Sequence, residues 1–249
     1  MTWSLLGWVI ILLAAILLAL SSFLFKKKNV YHVRHLPAVK RLVISRITAI
    51  ERGLKRHIIL GHQFWSQTYP GLGLQALFTL PVLVNAESEG DGGQVVFVGD
   101  GSLLALARQI TSGSYRDGFS ERVNDSTQRV TLPGMTPLSF TAGFLPELVS
   151  QKPGSVALFG DYGPEAALWA AAASDRGGDV FAAAGSLESQ AVLFLSVRDL
   201  LLGEEAFLMP GLIRTTPADQ AGWFVEDILR VLLIALLIAG AALKLGGIL

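Results

Sequence analysis

The chain has 249 residues, of which 51% are hydrophobic and 16% are charged, and its mean hydropathy is +0.51. This composition is too apolar for an ordinary soluble chain and predicts membrane segments. Lys and Arg together number 20, as do Asp and Glu, and cysteine is absent. These counts exclude a wholly basic nucleic-acid-binding protein, an acidic disordered chain, a disulfide framework and a cysteine-ligated metal site, so we expect no nucleic acid among the partners.

The first predicted element is a transmembrane helix over residues 1–25, which contain no charged side chain. A helix of about 23 residues is long enough to cross a hydrocarbon core of about 30 Å. A cleaved signal peptide is the alternative interpretation, but its positive charge would precede the apolar stretch. Here the charge follows it, as Lys26, Lys27 and Lys28. We therefore expect an uncleaved membrane anchor.

A second transmembrane helix is predicted at the other end of the sequence, over residues 226–249. Its longest fully apolar run, residues 231–243, is short, because Arg230 and Lys244 bracket it. Both side chains can extend toward the membrane surface, and this lengthens the usable stretch to residues 228–249. A helix that lies on the membrane or packs within the domain is the alternative.

The basic residues between these helices predict an orientation. Residues 26–57 form a basic neck that carries ten Lys or Arg against one acid, Glu51, and such flanks stay on the cytoplasmic side. The sequence therefore predicts a two-helix protein of the plasma membrane, with both termini outside and residues 26–227 in the cytoplasm. The basic residues expected near the lipid bilayer are Lys26, Lys27, Lys28, Arg34, Lys40 and Arg41. From Pro37 onward the apolar spacing predicts an amphipathic helix that packs against lipid headgroups or against protein.

From residue 58 to residue 225, short apolar runs alternate with helical stretches. This alternation predicts a Rossmann-like α/β domain, with three layers and a mainly parallel sheet of about five strands. The predicted strands are residues 57–64, 94–99, 128–132, 155–160 and 179–184. The predicted helices are residues 72–87, 102–112, 137–150, 164–174 and 187–202. The polar stretch 113–128 is predicted to be a mobile loop.

Glycine and an acid or serine follow several of the predicted strands. Parallel strands end at one edge of a sheet, where helix N-termini present unpaired N–H groups, so a nucleotide, phosphate or metal ion is a candidate ligand there. The candidate binding residues are Gly99, Asp100, Gly101, Gly160, Asp161, Gly163, Glu165, Gly185 and Ser186. Helix capping by the acids is the competing interpretation. No complete phosphate-loop or dinucleotide motif occurs, and no particular cofactor is indicated.

The order of motifs along the chain resembles an uncharacterised bacterial membrane-protein family known only as a domain of unknown function. The motifs are Glu51-Arg52-Gly53, Gly99-Asp100-Gly101, residues 136–143, Phe159-Gly160 before Gly163-Pro164-Glu165, residues 190–193 and residues 202–205. The resemblance covers most of the chain from about Pro37 onward. It implies two membrane anchors around one α/β domain, and it implies no reaction, ligand or catalytic residue.

Two hypotheses on function follow from the sequence. No set of acid, base and nucleophile can be assembled, and no histidine lies in a metal-binding pattern, so we predict neither catalytic nor metal-ligating residues. The favoured hypothesis is a membrane-anchored scaffold whose cytoplasmic domain self-associates or docks another membrane protein, through the alanine-rich helix 164–174 or the apolar segment 206–213. The alternative is a tethered ligand-binding or enzymatic domain that uses the Gly-Asp strand ends.

Overall fold

The computed structural model describes residues 8, 12, 15–21, 36–61, 70–85, 93–116, 128–213 and 215–245. The chain divides into two compact units, of which one is Leu36–Ile213 and the other combines Met1–His35 with Arg214–Leu249. The candidate binding residues all belong to the first unit.

The first unit alternates strands and helices along most of its length. Its strands are β1 (Lys55–Leu60), β2 (Gln94–Val98), β3 (Gln128–Thr131), β4 (Pro153–Phe159), β5 (Asp179–Ala184) and β6 (Asp199–Leu202). Its helices are α1 (Pro37–Glu51), α2 (Pro70–Asn85), α3 (Gly101–Arg116), α4 (Pro137–Ser150), α5 (Glu165–Asp175), α6 (Leu187–Ser196), α7 (Glu204–Phe207) and α8 (Met209–Ile213).

The six strands form one parallel sheet in the order β3-β2-β1-β4-β5-β6. This is the order of a doubly wound, Rossmann-like sheet, in which the chain starts at the centre and builds outward first on one side and then on the other. The order reverses between β1 and β4. The central strands are buried on both faces, which explains why Val95-Val96-Phe97-Val98 is a continuous apolar run.

Side chains of the sheet alternate between two core layers. Ile58 and Leu60 belong to the layer beneath α1, α2, α3, α7 and α8. Ile59 and Phe97 belong to the opposite layer, which α4, α5 and α6 cover. In that second layer Trp169 contacts Phe140, Phe144 and Tyr162 at ring-centroid distances of 5.2, 5.6 and 5.6 Å. Offset and edge-to-face ring pairs of this kind add stability beyond the area that they bury.

Strand β6 lies inside the stretch that the sequence predicts to be one helix, residues 187–202. The helix ends at Ser196, and Val197 is extended and starts the turn into β6. Three consecutive leucines fit a buried strand and a buried helix equally well, so hydrophobic periodicity cannot separate the two. Helix α3 continues to Arg116, and the rest of the predicted mobile loop, residues 117–127, lies outside the described residues.

Helix α1 forms part of the domain. Its residues Ala38, Val39 and Leu42 are buried in the core, so part of the apolar stripe of the predicted neck helix packs against the sheet. Val43 and Ile47 of the same stripe are exposed. Lys40 is exposed, and Arg41 forms an ion pair with Asp199 at the start of β6. The other basic residues predicted near the bilayer, Lys26, Lys27, Lys28 and Arg34, lie outside the described residues.

The second unit contains a long helix, α9 (Pro217–Leu245). Thr216 and Asp219 cap its N-terminal end, because the Asp219 carboxylate accepts hydrogen bonds from the backbone N–H and the hydroxyl of Thr216 at 2.9 and 2.6 Å. Its apolar side chains from Val231 to Ile238 are largely exposed within this single chain.

The prediction of two transmembrane helices in the plasma membrane is wrong for the described residues. In the described part of the chain, no helix is both long and apolar enough to cross a membrane. The charges of α9 give the physical reason, because Arg230 and Lys244 confine its uninterrupted apolar run to about 20 Å, against about 30 Å of hydrocarbon. Most of the predicted N-terminal span, residues 1–25, lies outside the described residues. Within this span the structure describes residues 8, 12 and 15–21, and these are helical.

His57 in β1 gives the fold a pH dependence. The ring is fully buried and stacks on Phe97 at 5.8 Å, and among the described residues neither ring nitrogen has a hydrogen-bond partner. Burial, with a smaller effect of the Lys55 charge, lowers the pKa of His57 to about 4. In the unfolded chain His57 is protonated below about pH 6.5, whereas in the folded chain it stays neutral down to about pH 4. The free energy of unfolding therefore falls as the pH drops from about 6.5 to about 4.

We expect this effect to remove about 3 kcal/mol from the free energy of unfolding between pH 7 and pH 4. His57→Phe keeps a flat ring against Phe97 and removes the titrating group, so the variant should lose that much less stability over the same range. Urea unfolding of both proteins at several pH values measures the difference. If the two proteins showed the same pH dependence, the pKa of His57 would be the same in the folded and the unfolded chain.

Candidate functional site

The carboxyl edge of the sheet brings together the glycines that follow β1, β2, β4 and β5. Backbone hydrogen bonds extend the ladder beyond the strands, from Gly61 N to Phe159 O at 2.8 Å, from Gly99 N to Leu60 O at 3.0 Å and from Gly160 N to Ala183 O at 3.0 Å. The ends of β2 and β4 therefore lie beside the end of β1, and the end of β5 lies beside that of β4, as a parallel sheet requires. This is the edge at which doubly wound sheets bind ligands.

At the reversal point of the sheet, the loops after β1 and β4 touch through their backbones. A Cβ atom on Gly61 would lie 2.8 Å from both the N and the O atoms of Asp161. Gly160 has a φ of +126°, a conformation that residues with a Cβ rarely adopt. Glycine at both positions is therefore explained by the close approach of two chain segments.

Asp161 connects the end of β4 to the start of α6. Its Oδ1 atom accepts hydrogen bonds from the backbone N–H groups of Gly185 and Ser186, at 3.1 and 2.7 Å. These N–H groups lie at the N-terminal end of α6, where a negative charge is also favoured by the helix dipole. Asp161, which the sequence suggests as a ligand-binding residue, thus connects the loop after β4 to the loop after β5.

A second set of hydrogen bonds joins the same two loops. The backbone N–H of Tyr162 donates to Ser189 Oγ, and that hydroxyl donates to Tyr162 O, both at 2.7 Å. Ser186, the N-cap of α6, accepts from Ser189 N and donates to Ser189 Oγ. The Tyr162 hydroxyl donates to Ile59 O at 2.8 Å. Burial, followed by the charge of Asp161, raises the pKa of Tyr162 well above its usual value.

Tyr162 and Ser189 are missing from the candidate residues proposed from the sequence. Ser186 and Ser189 have the spacing of an N-cap and the third residue of a helix, which is a signal for a capped helix start. The partnership between Tyr162 and Ser189 joins residues 27 apart in sequence, and only the folded chain shows it.

The other two candidate acids contact the backbone of their own turns. Asp100 Oδ1 accepts from the N–H and the hydroxyl of Ser102, both at 2.9 Å, and Gly101 is the first residue of α3. Glu165 Oε1 accepts from Gly163 N at 2.9 Å. The Asp100 contact is the one expected of an N-cap residue, whereas Glu165 holds the turn before α5, whose N-cap, Pro164, has no side-chain cap hydrogen bond. A nucleotide, phosphate or metal ligand at the strand ends stays a prediction.

The acidic and histidine side chains of the described residues are spread out rather than clustered. Within the ranges that the structure describes, no three His, Asp or Glu side chains cluster closely enough to hold a metal ion. The engaged acids at the carboxyl edge hold backbone N–H groups in place.

The outer face of α6 is unusually apolar for a surface helix. Leu187, Phe194 and Leu195 are 81%, 67% and 87% exposed, and Ala191 between them is exposed as well. The opposite side of the same helix buries Leu193 and Ser189 in the core. We call the exposed set Leu187, Ala191, Phe194 and Leu195 the α6 face.

The two apolar segments proposed from the sequence as contact surfaces lie mainly inside the domain. Helix α5 buries Ala166, Trp169, Ala170 and Ala173 and exposes Leu168. Residues 206–213 form α7 and α8, and Ala206 and Met209 are buried in the core. The sequence does not reveal the α6 face, because helix α6 is apolar on both sides and its pattern does not distinguish the inner face from the outer one.

Comparison with known proteins returns no match to a protein-family model, a curated protein or a solved structure. The resemblance to an uncharacterised membrane-protein family therefore stays a prediction.

Replacing Asp161 tests its structural role. Asp161→Ala leaves two partly buried N–H groups without their acceptor, so we expect the free energy of unfolding to fall by about 2 kcal/mol. Asp175→Ala is the matched control, because Asp175 is exposed at the end of α5 and its loss should change stability by at most about 0.5 kcal/mol. Urea denaturation of the two variants measures both values, and equal stabilities would contradict the tie between the loops.

Proposed function

We propose that this protein is a non-catalytic assembly component whose α/β domain forms a homodimer through the α6 face. The proposal keeps the scaffold hypothesis and omits its membrane anchors. The observation that carries it is the exposure of three large apolar side chains in one stripe of α6. A contiguous apolar surface of this kind is typical of protein interaction sites.

The charge of the surrounding layer supports an interaction surface. Helices α4, α5 and α6 contain no lysine, arginine or histidine. Their acids are Glu147, Glu165, Asp175 and Glu188. A surface helix ordinarily places charged residues opposite its buried stripe, and lysine is depleted from the centres of protein interfaces.

The arrangement of the α6 face favours a second copy of the chain as its partner. Leu187 and Leu195 lie four residues before and four residues after Ala191. A two-fold axis at Ala191 would bring two antiparallel α6 helices together, with Leu187 of one copy against Leu195 of the other. Two-fold interfaces must be self-complementary, and the small side chain of Ala191 permits close approach at the axis.

An energy estimate sets the expected strength of the dimer. Burying Leu187, Phe194 and Leu195 of both copies contributes on the order of 10 kcal/mol. Loss of translational and rotational freedom on association costs about 4–15 kcal/mol. We therefore expect a dimer whose population depends on protein concentration.

A single introduced cysteine tests this arrangement, because the natural chain contains none. Ala191→Cys places two thiols across the proposed axis, and helices in close contact bring Cα atoms within the roughly 4.4–6.8 Å that a disulfide needs. We expect a disulfide-linked dimer under mild oxidation, measured by gel electrophoresis without reductant.

Ala142→Cys is the control, since Ala142 is an exposed alanine on α4 in the same helical layer. It should stay monomeric on the gel at the same concentration. Ala191→Glu should also weaken the dimer at least about tenfold in light-scattering measurements, because two like charges would meet at the axis. Equal cross-linking at both cysteines would rule out the two-fold arrangement, and binding of a different protein to the α6 face would replace the second copy as occupant.

A further inference from the structure

A groove with both polar and apolar lining residues lies at the amino edge of the sheet, on the opposite edge from the Gly-Asp strand ends. It has a volume of about 330 Å³ and lies between α1 and the first residues of β5 and β6. This volume is at the lower end of the range for small-molecule sites. We call it the amino-edge groove.

A step in the sheet shapes this groove. Strand β5 begins at Asp179, whereas its pairing with β6 begins only at Phe181, opposite Asp199. In the described sheet, Asp179 and Val180 therefore have β4 on one side and the groove on the other. Backbone groups in such a position are available to a ligand.

Four charged side chains line the groove, and two of them neutralise each other. Arg41 of α1 forms an ion pair with Asp199. Asp179 and Arg198 are both exposed. In the described part of the chain, neither of these two side chains takes part in a hydrogen bond or an ion pair. The groove thus offers one available carboxylate and one available guanidinium.

The ends of two helices add a partial negative charge. The last turn of α5, which ends at Asp175, lines the groove through Ser174, and α6 ends at the groove with Ser196. The last carbonyl groups of a helix carry partial negative charge and favour a cation. Asp179 and these helix ends together suit an ammonium group, while the planar fork of Arg198 suits a carboxylate.

Apolar side chains form the floor of the groove. Phe181 and Val197 are 2% and 7% exposed, and Leu42 of α1 is buried beside them. A ligand of a single charge would leave a like charge of the protein facing it, which disfavours simple amines and simple carboxylates. A ligand with both charges and a short apolar part matches all three features.

We infer that the amino-edge groove binds a small zwitterion of the amino-acid class, whose ammonium group contacts Asp179 and whose carboxylate contacts Arg198. The site is separate from the proposed dimer contact, so failure of either proposal leaves the other standing. No part of this groove belongs to the strand ends proposed from the sequence.

The test measures binding of each of the twenty standard amino acids to the full chain, first by thermal shift and then by isothermal titration calorimetry. For leucine as an example, 3-methylbutylamine lacks only the carboxylate and 4-methylpentanoate lacks only the ammonium group. We expect at least one amino acid to bind, and its two half-molecules to bind at least tenfold more weakly. Binding of a half-molecule as tightly as the amino acid overturns the proposal, as does the absence of binding by every amino acid.

Two variants locate the site. Asp179→Asn and Arg198→Gln should each weaken binding at least tenfold, and because both side chains are exposed, the folded state should persist. Asp175→Asn and Arg176→Gln are matched controls at the exposed end of α5 and should bind like the unaltered chain. Undiminished binding in both groove variants would place the ligand elsewhere and overturn the assignment.

Discussion

The architecture depends on the backbone pairing of β1 with β2 on one side and β4 on the other. Both halves of the sheet are attached through this strand, and its side chains supply both core layers, with Ile58 on one face and Ile59 on the other. Because each face needs a covering layer, every crossover must return over the sheet as a helix. Gly61 and Gly160 meet where the two halves join, and no side chain would fit between them.

Strong local patterns allowed much of this sheet to be predicted. Val96 and Leu158 lie in apolar runs bounded by glycine. Such runs predict buried strands even when the strands that pair with them are not known. The end of α6 could not be found in this way, since Leu200 suits helix and strand equally. The C-terminal membrane helix was predicted on the assumption that Arg230 and Lys244 extend toward the membrane surface, although these two charges limit its uninterrupted apolar run.

The candidate site was predictable to a smaller extent, because its residues act through distant partners. Asp161 binds N–H groups 24 and 25 positions further along the chain, and no spacing rule anticipates that contact. The sequence correctly suggests that a strand-end acid next to a helix start can be a cap, but it cannot tell which helix is capped. Likewise, the outward direction of Phe194 depends on the rotation of α6 about its axis, which packing against the sheet determines.

Helix α6 connects the two surfaces that the proposals use. Its outer face carries Phe194 and Leu195, and its last turn reaches the amino-edge groove through Ser196 and Val197. A ligand in the groove and a second copy on the α6 face contact different residues, but both contact the last turn of α6. If either one alters the position of the turn, linkage requires that ligand binding and dimerisation change each other's free energy by the same amount. Measurement of the dimer population with and without a bound zwitterion would therefore report on the turn directly.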